Sequence, residues 1–178
     1  MWIETYTGKK FHLLEPHEDE VDIIDIAHAL SQLCRFTGHS KTFYSIAQHS
    51  VLVSNLIDPQ YAFAGLLHDA PEAYIGDWSR PLQKLPSLKS ILEPIHKKIY
   101  LAVCSRYGVC IDDNMLKAVA KADDILLATE VRDLMHNTEL WSNVYGPPLP
   151  QVISPWTDKV AFITFLSRFV DLTMGIRK

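Results

Sequence analysis

Apolar residues recur at helical spacing along most of the chain. Because an α-helix has about 3.6 residues per turn, positions three and four apart lie on one face. Stripes of this kind run through residues 23–33 and 46–57, and a nearly all-apolar run at 62–70 predicts a short buried helix. A further helix is predicted over 91–107, with Pro94 near its start or kinking it.

Capping residues predict two more helices. Asp and Thr side chains often accept hydrogen bonds from the unpaired N–H groups in the first turn of a helix. Asp112 or Asp113 can cap a long helix that ends at about Met135, and Thr157 can cap a last helix over 157–174.

Two stretches do not have the helical pattern. In residues 1–14, β-branched and aromatic residues alternate around Thr7-Gly8-Lys9-Lys10, which predicts a small β-hairpin. Residues 143–156 carry Gly146 and several prolines, which predicts a rigid loop. We therefore expect a single all-α domain over 1–178, with a helical core at 22–136 and a minor N-terminal hairpin.

Amino-acid composition and net charge exclude several classes of function. A chain of 178 residues with 48% apolar and 21% charged residues is typical of one globular domain. The net charge of −4 gives no bulk attraction to DNA or RNA. The longest strongly apolar run, at 62–67, is far too short for a membrane span, and the first residues lack a signal-peptide pattern. Three cysteines without a CxxC pair suit a reducing compartment, so we expect a cytoplasmic protein that binds neither nucleic acid nor membrane.

Ionisable side chains follow an apolar segment at His68-Asp69-Ala70-Pro71-Glu72. Burial of such groups is costly unless they are paired or bind a metal. A hydrogen bond between His68 and Asp69 at a helix end would also explain the pair. His49, which lies among apolar neighbours, is likewise either a satisfied core histidine or a metal ligand.

A second acidic pair, Asp123-Asp124, lies inside a helix with an apolar stripe. Asp123 follows Val119 by four positions and precedes Leu126 by three, so it lies on the axis of the stripe. Asp124 follows Lys121 by three positions, towards a charged flank. A carboxylate on a buried axis needs a strong partner, so Asp123 is the predicted ligand of the two.

Together, His49, His68, Asp69 and Asp123 form a mixed nitrogen and oxygen set on three predicted helices. Such a set suits a divalent metal such as Mn, Fe, Co, Ni or Zn. A closed shell of four protein ligands would equally suit a structural metal site.

The order of these residues resembles the H…HD…D signature of the HD-domain metal-dependent phosphohydrolases. The segment from His68-Asp69 through Glu72 to Gly76-Asp77 is similar to the HDxxE…GD stretch of bacterial 5′-deoxynucleotidases and related phage and prophage nucleotide hydrolases. Arg35-Phe36 resembles the Arg–aromatic pair of that branch. The Thr5-Tyr6-Thr7-Gly8 segment is closer to its phage and prophage members, some of which are dATP triphosphohydrolases. The resemblance covers residues 23–130.

This resemblance implies an HD-domain helical bundle that holds one divalent transition metal (Mn, Co, Zn, Fe or Ni), with a second ion, Mg, for a triphosphate substrate. It implies four metal ligands: His49, His68, Asp69 and Asp123. Because the matching glutamate is catalytic in that branch, Glu72 is the candidate general acid or base, and a capping carboxylate is its structural alternative. Asp77 is the second candidate catalytic residue and would contact the sugar. The candidates for substrate binding are Arg35, Phe36, His39, Asp77 and Lys84.

The function implied by the resemblance is hydrolysis of a purine deoxynucleotide, either a monophosphate at its 5′-phosphate or dATP. The protein would be a homo-oligomer in the cytoplasm of a bacterium, or of the host if a phage encodes it. A non-catalytic nucleotide sensor with a structural metal is the main alternative, although it would be free to lose Glu72 and Asp77. A hydrolase of cyclic or signalling nucleotides would share the metal ligands but not Arg35-Phe36 and Gly76-Asp77.

Overall fold

The computed structural model describes residues 1–141 and 146–176 and is mostly helical. A two-stranded antiparallel sheet precedes the helices, with strands β1 (Trp2–Glu4) and β2 (Lys10–His12). The turn between them closes through a hydrogen bond of 2.9 Å from the N–H of Thr5 to the carbonyl of Lys9. The predicted class, helical with a small N-terminal hairpin, is therefore confirmed.

The helices are α1 (Ile23–Gln32), α2 (Ile46–Leu56), α3 (Ala62–Leu67), α4 (Glu72–Ile75), α5 (Arg80–Gln83), α6 (Pro86–Tyr107), α7 (Asp113–Leu134) and α8 (Asp158–Ile176). None of these described helices is long and apolar enough to cross a membrane.

The predicted helix caps form. The carboxylate of Asp112 accepts a hydrogen bond of 2.8 Å from the N–H of Met115, so Asp112 and not Asp113 caps α7. The hydroxyl of Thr157 accepts one of 3.3 Å from the N–H of Val160 at the start of α8. Both helices begin where a side chain satisfies N–H groups that have no partner within the helix.

Two predicted helix boundaries are wrong. The helix expected at 91 begins at Pro86, so Pro94 lies inside α6 rather than near its start. Proline is well tolerated in a first helical turn, where its missing N–H would have no partner. The helix expected over 62–70 ends at Leu67, because Pro71 has no N–H to continue the hydrogen-bond ladder. Tight turns bridge the gap to α4, where Pro71 directly precedes Glu72.

Helix α2 is central to the fold and packs against α1, α3, α7 and α8. The core around it consists of large apolar side chains without solvent exposure: Ile26, Leu30, Ile46, Leu66, Leu67 and Phe165. Because α2 is covered on several sides, a polar side chain on it must find partners inside the protein. His49 lies in this position.

Buried polar contacts fix the two segments outside the helices. The carboxylate of Asp25 in α1 accepts hydrogen bonds from the N–H (2.6 Å) and the hydroxyl (3.0 Å) of Thr7 in the hairpin turn. The side-chain amide of Gln48 accepts one of 2.8 Å from the N–H of Trp156 in the proline-rich loop. Over 146–156 this loop has no helix or strand, as predicted; its predicted first residues, 143–145, lie outside the described residues.

Candidate metal centre

Two imidazoles meet in the centre of the fold. His49 lies in α2 and is fully buried, and His68 follows the last residue of α3. Their Nε2 atoms are 3.3 Å apart. The Nδ1 of His68 donates to the carbonyl of Gly65 (2.8 Å), because a carbonyl can only accept. The Nδ1 of His49 lies 2.7 Å from the carboxylate of Glu130. Both rings therefore direct Nε2 to the same point.

Two carboxylates lie at that point. Oδ1 of Asp123, from α7, is 3.2 Å from Nε2 of His49. Oδ2 of Asp69 is 3.2 Å from Nε2 of His68 and 3.5 Å from Nε2 of His49. This Oδ2 atom is buried and accepts no hydrogen bond from the described residues. An unpaired buried carboxylate oxygen beside two imidazole nitrogens is a place where a cation would be stabilised.

The spacing of these donor atoms fits one metal ion. Metal bonds to nitrogen and oxygen of about 2.0–2.2 Å place neighbouring ligand atoms about 3.0–3.5 Å apart. The separations at His49 lie in that range, from 3.2 to 3.5 Å. His49, His68 and Asp123 each place one donor atom within 4.8 Å of the others and can hold a metal ion. Asp69 offers a fourth donor at their edge.

Arg35 lies among these carboxylates. Its Nε is 2.9 Å from Oε2 of Glu130, one Nη is 3.3 Å from Asp123, and the other is 3.8 Å from Asp69. Its side chain is only 12% exposed. The sequence predicted Arg35 as a substrate ligand; the structure shows that much of its hydrogen-bonding capacity already serves protein carboxylates.

These charges shift the pKa values of the centre. Burial alone would raise the pKa of Asp123, but His49 and Arg35 outweigh it and hold the pKa well below its usual range. Burial and Arg35 lower the pKa of His49, yet Glu130 and Asp123 outweigh them and raise it to about 9. The centre therefore attracts positive charge.

Glu72 has the opposite electrostatic environment. Burial and the nearby charges of Asp69 and Asp77 raise its pKa well above the usual value. Its Oε2 is buried and has no hydrogen-bond partner among the described residues. Burial also raises the pKa of Asp77, although Arg35 partly opposes this. A carboxyl group whose pKa is raised in this way is suited to act as a general acid.

A strained turn follows Arg35. Phe36 and Thr37 both have left-handed backbone conformations, with φ of 56° and 54°. The ring of Phe36 packs edge-on against Trp141 at 5.7 Å and lies 5.4 Å from the guanidinium of Arg35. The turn is closed at its base by a hydrogen bond of 2.9 Å from the N–H of Arg35 to the carbonyl of Tyr44. The predicted pair Arg35-Phe36 thus lies at the edge of the centre.

Two other predicted substrate ligands, His39 and Lys84, make no contact with the histidine pair among the described hydrogen bonds and ion pairs. Both are exposed, and neither side chain forms a hydrogen bond or ion pair with the other described residues of the centre. Arg80 in α5, in contrast, places Nη2 3.2 Å from Oδ2 of Asp123.

Three residues in or near the centre were not predicted from the sequence: Glu130, Tyr44 and His96. Glu130 lies seven positions after Asp123, on the same face of α7, and this spacing was the available signal. The hydroxyl of Tyr44 donates to Glu130 at 2.8 Å. His96 in α6 is close enough that, besides burial, the charges of Asp69 and His68 affect its pKa. Nothing in the local sequence marks Tyr44 or His96.

Comparison with known proteins finds bacterial relatives that align over most of the chain. YfdR of Escherichia coli, an uncharacterized protein, is 39% identical over 176 residues, which cover 97% of this chain and 96% of YfdR. An uncharacterized protein of Rhodobacter capsulatus is 29% identical over 164 residues, 85% of this chain and 83% of that protein. No protein-family model matches the chain.

Proposed function

This chain belongs to the family of Escherichia coli YfdR, and we propose that it is a metal-dependent phosphohydrolase that acts on a purine deoxynucleotide. The observation that carries the proposal is the group of His49, His68 and Asp123, which can hold a metal ion. A carboxyl group with a raised pKa, Glu72, lies beside this group. A metal site next to a general acid is an arrangement that supports phosphate hydrolysis. The HD-domain fold is part of the same proposal.

Four side chains would bind the ion. His49 and Asp123 supply a donor pair from α2 and α7, and His68 and Asp69 supply a second pair after α3. A divalent ion in this position supplies Lewis acidity for the phosphate and makes bound water more acidic. Because Asp69 lies next to Glu72 in the turn around Pro71, the ion site and the acid have a fixed separation.

Glu72 supplies the proton. Burial and the charges of Asp69 and Asp77 raise its pKa, which favours the protonated carboxyl, and its Oε2 has no hydrogen-bond partner among the described residues. Transfer of the proton of Glu72 to the oxygen of the leaving group would prevent that group from leaving as a charged alkoxide or phosphate. Asp77 raises the pKa of Glu72 further and is the group we assign to the sugar hydroxyl.

The phosphate would meet two guanidinium groups. The longest contact of Arg35 is the 3.8 Å between one Nη and Asp69. This nitrogen is therefore the one most available to bind a phosphate oxygen. Arg80 is 56% exposed and contacts Asp123, so it can turn towards a bound anion at little cost. The ring of Phe36 lies beside Arg35 and offers a flat face for the sugar or base.

A substrate panel tests the proposal. Deoxynucleoside and ribonucleoside mono- and triphosphates are incubated with Mn, Co, Zn or Mg, and released phosphate, pyrophosphate and triphosphate are measured. We expect a purine deoxynucleotide to be hydrolysed and its ribonucleotide to be a poorer substrate. Asp77→Ala should weaken this sugar preference, whereas the control variant Asp124→Ala at an exposed position should keep it.

The outcomes of the panel separate the candidate functions. Metal-dependent binding of a nucleotide without turnover would favour a sensor with a structural metal. Equal hydrolysis of dAMP and AMP, and of dATP and ATP, would contradict the assignment of Asp77 to the sugar.

A further inference from the structure

A buried carboxylate joins the histidine pair to Arg35. Glu130 has no solvent exposure. Its Oε1 accepts hydrogen bonds from Nδ1 of His49 (2.7 Å) and the hydroxyl of Tyr44 (2.8 Å). Its Oε2 accepts one from Nε of Arg35 (2.9 Å). Three donors from two different segments thus converge on one side chain.

These contacts do more than neutralise a buried charge. The ion pair with Arg35 alone would compensate the carboxylate. The contact with His49 fixes the ring: Nδ1 carries a hydrogen towards Glu130, so the proton that a metal ion would displace is the one on Nε2, the atom that faces His68 and Asp123. A carboxylate that orients a metal-binding histidine also raises the basicity of that histidine.

Glu130 also restrains Arg35. Because Nε is bound to Glu130, only the two Nη groups reach the metal ligands Asp123 and Asp69. A released guanidinium could pair with Asp123 through two parallel hydrogen bonds, and it would then compete with a metal ion for that carboxylate.

We propose that Glu130 is a positioning residue, which holds Nε2 of His49 towards the metal and limits the contacts of Arg35 with the metal ligands to its two Nη groups. This inference rests on the metal centre of the proposed function but not on the substrate. It concerns a residue that touches neither the metal nor the nucleotide.

The test measures binding of the metal alone. Metal-free parent, Glu130→Gln and Tyr44→Phe proteins are titrated with Co²⁺ by calorimetry and by the visible absorption of bound Co²⁺. Loss of a group that orients a metal ligand typically costs about 10- to 100-fold in metal affinity. We expect that loss and an altered Co²⁺ spectrum in Glu130→Gln.

Tyr44→Phe is the matched control. It removes a hydrogen bond to the same Oε1 at a similar depth, but it leaves the contacts to His49 and Arg35 in place. We expect Tyr44→Phe to keep the parental Co²⁺ affinity and spectrum. Equal affinity in Glu130→Gln and the parent, or equal losses in both variants, would overturn the proposal.

Two further measurements keep the proposal testable if Glu130→Gln does not fold. Thermal unfolding of the metal-free proteins reports whether Glu130→Gln folds. If it does not, nitrogen NMR of the Zn²⁺-loaded parent reports the ring of His49 directly: we expect a protonated Nδ1 and a metal-bound Nε2, and the reverse would overturn the proposal. A parent that binds Co²⁺ but hydrolyses no nucleotide contradicts only the proposed function, whereas a parent that binds no divalent ion contradicts both.

Discussion

Oδ1 of Asp123 lies 3.2 Å from Nε2 of His49. This contact joins α7 to α2, whereas Asp124, the next residue along the chain, is exposed. Two adjacent aspartates therefore have opposite environments, because successive residues of a helix point about 100° apart.

We expect Asp123→Asn to lose metal affinity and Asp124→Asn to keep it. Loss of a residue that merely orients a ligand costs about 10- to 100-fold, so loss of a ligand itself should cost more. Calorimetric titration of the metal-free variants with Co²⁺ measures the difference. Normal affinity in Asp123→Asn would exclude Asp123 as the ligand, and a large loss in Asp124→Asn together with it would identify Asp124 as the ligand instead.

Glu72→Gln should keep metal affinity and lower turnover by about 10²- to 10⁴-fold, the usual contribution of a general acid or base. The amide keeps the size of the side chain, but its N–H groups are far too weakly acidic to transfer a proton at neutral pH. Glu93→Gln, at an exposed position of α6, serves as the control. If Glu72→Gln hydrolysed substrate at the parental rate, its carboxyl group would be structural only.

The fold could be predicted where the sequence pattern is local. The stripes of α1 and α2, the cap at Asp112 and the hairpin turn each depend on residues a few positions apart. The start of α6 could not be predicted in this way, because most residues of its first half are exposed and leave little apolar pattern.

The site could be predicted only in part, for a similar reason. The helical phase of α7 distinguishes Asp123 from Asp124 within a single helix. The contacts of Arg35 with Glu130 and of Tyr44 with Glu130 join residues far apart in the sequence, so no local pattern reports them. Arg35 therefore resembles a free phosphate ligand in the sequence, and its carboxylate partners are visible only in the structure.

Addition of a divalent ion should stabilise the parent protein. Ligand at 100 times its dissociation constant contributes about 2.7 kcal/mol. For a chain of this size, that contribution raises the midpoint of thermal unfolding by about 5–11 °C. Scanning calorimetry with and without a chelator measures the shift. In His68→Ala, the ion should raise the midpoint of thermal unfolding only slightly. A full shift in that variant would mean that the ion binds elsewhere.

Asp25→Ala should destabilise the protein without changing metal affinity. Asp25 is 3% exposed and accepts two hydrogen bonds from Thr7. Its loss leaves the donors of Thr7 without their partner, at a cost of about 1–3 kcal/mol. Urea unfolding measures the change, and Asp19→Ala, whose side chain is exposed, should have almost no effect. Equal stability of the two variants would mean that the hairpin does not depend on Asp25.

The left-handed turn after Arg35 leads to a prediction of increased stability. Thr37 has φ of 54°, a conformation that costs about 1–2 kcal/mol for a residue with a Cβ atom. Glycine removes this cost, while its greater freedom in the unfolded chain offsets about 0.4–1 kcal/mol. Thr37→Gly should therefore raise the free energy of unfolding by up to about 1.6 kcal/mol, measured by urea unfolding.

Thr42→Gly separates relief of strain from a general effect of glycine. Thr42 is exposed in the same loop but does not share the left-handed conformation, so glycine should destabilise the protein there. A loss of stability in both variants would show that the turn is unstrained. The strain at Thr37 is tolerated because the two residues before it are held in place: Arg35 by Glu130, and Phe36 by Trp141. The gain in stability from Thr37→Gly should therefore leave Co²⁺ affinity unchanged, since the contact between Arg35 and Glu130 is retained.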